Sequence, residues 1–104
     1  MNVIDLIKFG EINKANKLFC FSTPYCGLCK QQKNEMTVFS DCIFVETIDE
    51  DGLMLLDIDA VPCTILYDND CKIVFKKYGI LYDVQKKELK EIYDKIHNST
   101  KSTR

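Results

Sequence analysis

The sequence predicts an α/β fold in which a four-stranded mixed sheet carries helices on both faces. Three observations lead there. Leu18-Phe19-Cys20-Phe21 is a short apolar run without alternation, as expected of a strand buried on both faces. A helix-compatible stretch, Cys26 to Phe39, and a second β-prone run, Cys42 to Ile48, follow it, so a β-α-β unit sets two strands parallel. Further on, Asp68-Asn69-Asp70 separates two more β-prone runs with turn-forming residues, which makes an antiparallel hairpin.

The elements can be taken in order. Val3, Ile4, Ile7 and Ile12 fall near helical spacing, so an amphipathic helix is expected from Asn2 to Ala15, weakened by Gly10. Lys17 to Ser22 is the central strand, and Ser22-Thr23-Pro24 breaks it. In the helix from Cys26 to Phe39, Leu28, Gln32, Met36 and Phe39 make the buried stripe. Asp49-Glu50-Asp51-Gly52 is an acidic turn, and Leu53 to Leu56 is a single helical turn. Thr64 to Tyr67 and Lys72 to Lys76 are the hairpin strands, closed by Gly79. Asp83 is the expected N-cap of a last helix, Val84 to His97, with Leu89, Ile92, Tyr93 and Ile96 inward. Residues 1–97 then form one domain, and 98–104 a polar tail.

Composition narrows the function. At 104 residues there is room for one modest core. Hydrophobic residues make up 46% and charged residues 29%, with a net charge of -2, so nothing suggests a nucleic-acid partner. No apolar run reaches the ~18 residues of a membrane span. The start of the chain lacks a basic segment followed by an apolar one, so no secretion signal is expected. Six cysteines in a chain with its own periodic elements fit free thiols in a reducing cytoplasm better than a secreted disulfide scaffold.

The chemistry concentrates at Pro24-Tyr25-Cys26-Gly27-Leu28-Cys29-Lys30, a C-x-x-C at a strand-to-helix junction. The unpaired amides and dipole of a helix N-terminus favour a thiolate, which is the nucleophile in disulfide exchange. His97 is the single histidine and lies near the end of the last helix, so Cys–His and Ser–His schemes have little support.

Together, Cys26-Gly27-Leu28-Cys29-Lys30 at a helix start, Val61-Pro62 before a β-hairpin, Gly79 at its end and a closing amphipathic helix resemble the thioredoxin family over most of the chain. The resemblance implies a thioredoxin-like fold and thiol–disulfide oxidoreductase activity without a bound cofactor or metal. It implies Cys26 as nucleophile, Cys29 as resolving thiol and Pro62 in a cis peptide facing them. Tyr25, Gly27, Leu28, Val61, Pro62 and Gly79 would contact substrate, with Ile80 also on the apolar rim. It further implies protein disulfides as substrates, a thioredoxin-reductase-like or other reductase partner, a monomer and a cytoplasmic setting. This chain departs from the family at four points. Tyr25 replaces a tryptophan, Leu28 replaces a proline, and Cys20 stands where a buried acid is usual. The family's first strand is expected to be absent, with a short spacing from Cys26 to Pro62. Cys20 is expected in the core, making Cys29 slower to resolve. Glu46 is expected to face solvent, although it lies in the strand from which a substitute base might come. Cys63 is expected to be packed, and Cys71 exposed. Two other functions compete: a glutaredoxin-like protein using glutathione, for which no Gly-Gly-Asp signature is seen near Gly79, and a cysteine metal-binding module, for which no second C-x-x-C is present.

Overall fold

A computed structural model describes Val3, Ile4 and residues 6–102, with side chains described for residues 6–97. Nine elements of regular α or β structure run in the order β1 Val3–Ile4, α1 Leu6–Glu11, β2 Leu18–Ser22, α2 Gly27–Glu35, β3 Ile43–Glu46, α3 Glu50–Leu55, β4 Cys63–Tyr67, β5 Ile73–Tyr78 and α4 Asp83–Ser102. A 3-10 turn, Met36–Val38, extends α2.

The four predicted strands and a fifth, β1, form one five-stranded mixed sheet, and β2 lies at its centre in the order β1-β3-β2-β4-β5. β1 and β2 run parallel to β3, while β4 pairs antiparallel with both β2 and β5. Because strand side chains alternate, β2 feeds two cores. Leu18 and Cys20 join Met36, Phe39, Leu66 and Leu89 beneath α2 and α4. Phe19 and Phe21 join Phe9, Val45, Leu53 and Ile65 beneath α1 and α3. In the second core Phe9 meets Phe19 and Phe21 edge-on, with ring centroids 4.9 and 5.0 Å apart.

The N-terminus differs from expectation. Val3 and Ile4 form a two-residue edge strand in register with Phe44 and Val45, and the helix spans Leu6–Glu11 only. The initial strand expected to be missing is therefore present in short form, because pairing with β3 satisfies backbone groups that a helical start would leave open. Asn2 and Asp5, which fell within the expected helix, lie outside the described residues.

α3 begins earlier than the single turn expected. Asp49 Oδ1 accepts the Gly52 amide at 2.9 Å, capping it. A Cβ on Gly52 would stand 2.5 Å from Asp49 Oδ2, so the cap needs glycine there. Asp83 is the first residue of α4 rather than its cap; the Tyr82 amide donates to Gln85 Oε1 at 3.1 Å. The helix continues past His97 into the stretch read as a tail. Lys86 Nζ ties α4 to α2 through Glu35 Oε1 at 2.6 Å.

Candidate active site

The strand-to-helix junction places the two cysteines as a pair. Pro24 and the turn after β2 end the sheet hydrogen bonding, and Cys26 takes the N-cap position with extended φ and ψ of -97° and 110°. One turn of helix then brings Cys29 back over it. The two are joined as a disulfide with Cα atoms 5.2 Å apart. Cys26 Sγ also accepts the Cys29 amide at 3.1 Å, so the sulfur occupies the place of a capping oxygen. Cys26 is half-buried and Cys29 buried, so Cys26 is the more exposed of the pair.

A second segment, far along the chain, meets this pair. The Val61-Pro62 peptide is cis, and the Val61 carbonyl oxygen lies 3.9 Å from Cys26 Sγ. Pro62 is buried and Val61 half-buried. The Gly79 amide donates to the Pro62 carbonyl at 2.8 Å, with Gly79 at φ +83°, a conformation suited to glycine. Gly79 thus fixes the segment that carries Pro62.

The rim residues are placed unevenly. Tyr25 is 88% exposed and Leu28 56% exposed. Leu28 was expected in the buried stripe with Gln32, Met36 and Phe39; those three are buried, together with Cys29, while Leu28 faces out. Gly27 has open space where a Cβ would stand. Ile80 is half-buried.

Beneath the disulfide lies a buried polar tie. Gln32, one turn after Cys29, donates from Nε2 to Thr64 Oγ1 at 3.0 Å and accepts the Leu81 amide at 2.8 Å through Oε1. Thr64 also hydrogen-bonds Cys20, its register partner on β2. Cys20 is a core residue, and burial pushes its thiol up to about 11 despite that bond. It therefore stays protonated at neutral pH. Burial likewise pushes Cys63 up to about 12 and raises Cys42. Glu46 is exposed at the end of β3, and Cys71 is exposed in the β4–β5 turn. His97 stacks on Tyr93 at 4.2 Å, and its Nδ1 lies 2.8 Å from the Tyr93 carbonyl oxygen. The polar residue Gln32 on an otherwise apolar stripe was the sequence signal for this tie; its partners, Thr64 and Leu81, gave none.

Among the described residues, no group of three or more His, Cys, Asp or Glu side chains is disposed to hold a metal, and no helix is long and apolar enough to cross a membrane.

No protein-family profile matches the sequence, and no curated protein matches it. Solved structures match it in shape. Thioredoxin from Trypanosoma brucei brucei superposes with a TM-score of 0.68 at 16% identity, over 89% of this chain and 92% of that one. Chloroplastic thioredoxin z gives 0.65 at 18%, over 94% and 96%. Oxidised thioredoxin from Plasmodium falciparum gives 0.59 at 21%, over 88% and 98%. The chain has the thioredoxin fold, with a C-x-x-C disulfide at the start of α2.

Proposed function

We propose that this protein is a thiol–disulfide oxidoreductase that reduces protein disulfides through Cys26 and Cys29. The observation carrying this reading is the Cys26–Cys29 disulfide at the N-cap of α2, beside the Val61-Pro62 peptide. In the reduced protein the helix N-terminus favours a thiolate at Cys26. That thiolate attacks one sulfur of a substrate disulfide, forming a mixed disulfide and releasing the other sulfur as a thiolate. Cys29, deprotonated, then attacks Cys26 Sγ. The Cys26–Cys29 disulfide forms and the second substrate thiolate leaves. Two electrons pass from the dithiol to the substrate. The cysteines' two protons end on the substrate thiols by way of solvent.

The Val61 carbonyl and Pro62 form a ledge where an extended substrate strand can lie, a local form of strand addition. Gly27 allows its backbone to come close, Tyr25 and Leu28 cover its apolar atoms, and Gly79 holds the ledge. A reductase of the thioredoxin-reductase type recharges the pair. The protein acts as a monomer in the cytoplasm.

The test is the reduction of a disulfide-linked peptide with dithiothreitol as electron source. Wild type accelerates the reaction and Cys26→Ser does not. Equal rates for the two would refute the reading. Replacing dithiothreitol with either thioredoxin reductase and NADPH or glutathione identifies the electron donor.

A further inference from the structure

Between α3 and β4 the chain crosses residues 56–62, which belong to no helix or strand, and this stretch brings Val61 and Pro62 to the disulfide. Its first part leans on α3. The Asp57 amide donates to the Met54 carbonyl at 3.0 Å and the Ile58 amide to the Leu53 carbonyl at 2.9 Å, while the Ile58 side chain is buried in the second core. Its last part leans on the end of β5, where the Gly79 amide holds the Pro62 carbonyl. Between these ends Asp59 and Ala60 are exposed and Val61 is half-buried, so core packing does little to fix them.

One side chain reaches this middle part from β5. Tyr78 is the register partner of Cys63, the residue after Pro62. Its hydroxyl donates to the Asp57 carbonyl at 2.9 Å and accepts the Asp59 amide at 3.3 Å, two roles that a phenol can fill at once. Asp57, at φ +62°, ends α3 in the left-handed turn common after a helix, and a carbonyl past a helix end must find its donors outside the helix. Lys76, on the same face of β5, donates to that carbonyl too, and its ammonium lies 5.5 Å from the centroid of the Tyr78 ring. Tyr78 is 42% exposed and belongs to neither core, so these polar contacts rather than packing account for where its hydroxyl sits.

We propose that Tyr78 is a positioning residue that sets the preference of this site for polypeptide disulfides over small ones. The proposal rests on the redox reading above, which supplies the exchange reaction. Tyr78 and Gly79, neighbours on one strand, hold the segment at both ends: Tyr78 at Asp57 and Asp59, Gly79 at Pro62. Ala60 alone separates Asp59 from Val61, so the clamp fixes the Val61 carbonyl beside Cys26 Sγ. Tyr78 acts through the backbone of that segment and not on the sulfurs. A polypeptide disulfide has backbone groups to pair with the Val61 carbonyl and gains from having it held in place. A small disulfide has none and gains nothing.

The test uses Tyr78→Phe, which keeps the ring and removes the hydroxyl. Second-order rate constants are measured for the reduced full chain with a disulfide-linked peptide and with 2-hydroxyethyl disulfide. The peptide constant is expected to fall about fivefold while the small-disulfide constant stays unchanged. Tyr93→Phe is the control. It breaks a hydroxyl bond of 2.8 Å to Asp41 beside Leu18, at the end of β2 away from the disulfide, and should alter neither constant. Equal slowing of both disulfides by Tyr78→Phe, slowing of neither, or the same selective loss in Tyr93→Phe would overturn the proposal. Hydrogen exchange of the Asp59 amide in the oxidised protein reads the clamp without any turnover. It should quicken by about tenfold in Tyr78→Phe, and an unchanged rate would also overturn the proposal. Failure of the reduced wild-type protein to react with 2-hydroxyethyl disulfide would refute the redox reading instead.

Discussion

Gln32 Nε2 donates to Thr64 Oγ1 across 3.0 Å, and both side chains are fully buried. This bond, with the Leu81 amide on Gln32 Oε1, ties the cysteine helix to the strand following Pro62 and to the segment following Gly79. Three parts of the site that are distant in sequence meet at one side chain.

Gln32→Leu removes both bonds, leaving the buried Leu81 amide unpaired and the Thr64 hydroxyl with only its bond to Cys20. The expected loss is about 2–4 kcal/mol, read by urea denaturation of the oxidised protein. Adding Thr64→Val should recover little of it, since the hydroxyl it removes still has Cys20 as a partner. A loss under about 0.5 kcal/mol would mean that the tie contributes nothing.

Two glycines of the site should respond differently to alanine. At Gly79, φ of +83° strains any side chain although the space is open, so Gly79→Ala should cost about 1–2 kcal/mol in the same assay. Gly27 has neither positive φ nor a crowded Cβ position. Gly27→Ala should leave stability within about 0.5 kcal/mol and slow exchange with a protein disulfide more than with a small one. Equal slowing of both substrates would show that backbone approach at Gly27 is not limiting.

Burial raises the thiols of Cys20, Cys42 and Cys63, the first to about 11 and the last to about 12. In the folded protein they stay neutral where the unfolded chain ionises. Their contribution is complete below about pH 9 and is lost as pH rises through the folded values. Denaturation of the oxidised protein should therefore show stability falling by about 1 kcal/mol per thiol per pH unit above about pH 9. Cys63→Ala should make that alkaline slope shallower, whatever it does to stability at neutral pH. An unchanged slope would contradict the assignment.

Cys20 cannot act as a base at neutral pH, since its thiol remains protonated. Cys20→Asp places a carboxylate at that position, and release of the mixed disulfide should quicken by about tenfold or more. Burying the acid beside Thr64 should cost about 2 kcal/mol or more. Rapid-quench measurement of mixed-disulfide lifetime checks this, and an unchanged lifetime would show that no proton passes through position 20.

The centre of the fold was legible because local signals agree there. The unbroken run Leu18 to Phe21 needs burial on both faces, and the sheet supplies two cores, one for Leu18 and Cys20 and one for Phe19 and Phe21. Val3 and Ile4 misled because their spacing suits a helix, while their actual pairing with Phe44 and Val45 is set some forty residues away. Leu28 misled for a different reason. A helix capped by the Cys26 sulfur turns Cys29 and Gln32 inward, and the repeat of apolar residues does not reveal where the cap falls. The cysteine pair and Pro62 were readable as motifs. The Gln32 tie depends on contacts between segments, which sequence spacing does not encode.

The central claim is that Cys26 attacks and Cys29 resolves. The most direct measurement uses reduced Cys29→Ser protein in a Cys71→Ser background, so that the other exposed thiol is absent. It is mixed with a disulfide-linked peptide, and the adduct is located by mass spectrometry after proteolysis without reductant. The predicted result is a stable mixed disulfide on Cys26, which the same protein with Cys29 restored releases. No adduct, or an adduct on Cys20, Cys42 or Cys63 in place of Cys26, would contradict it.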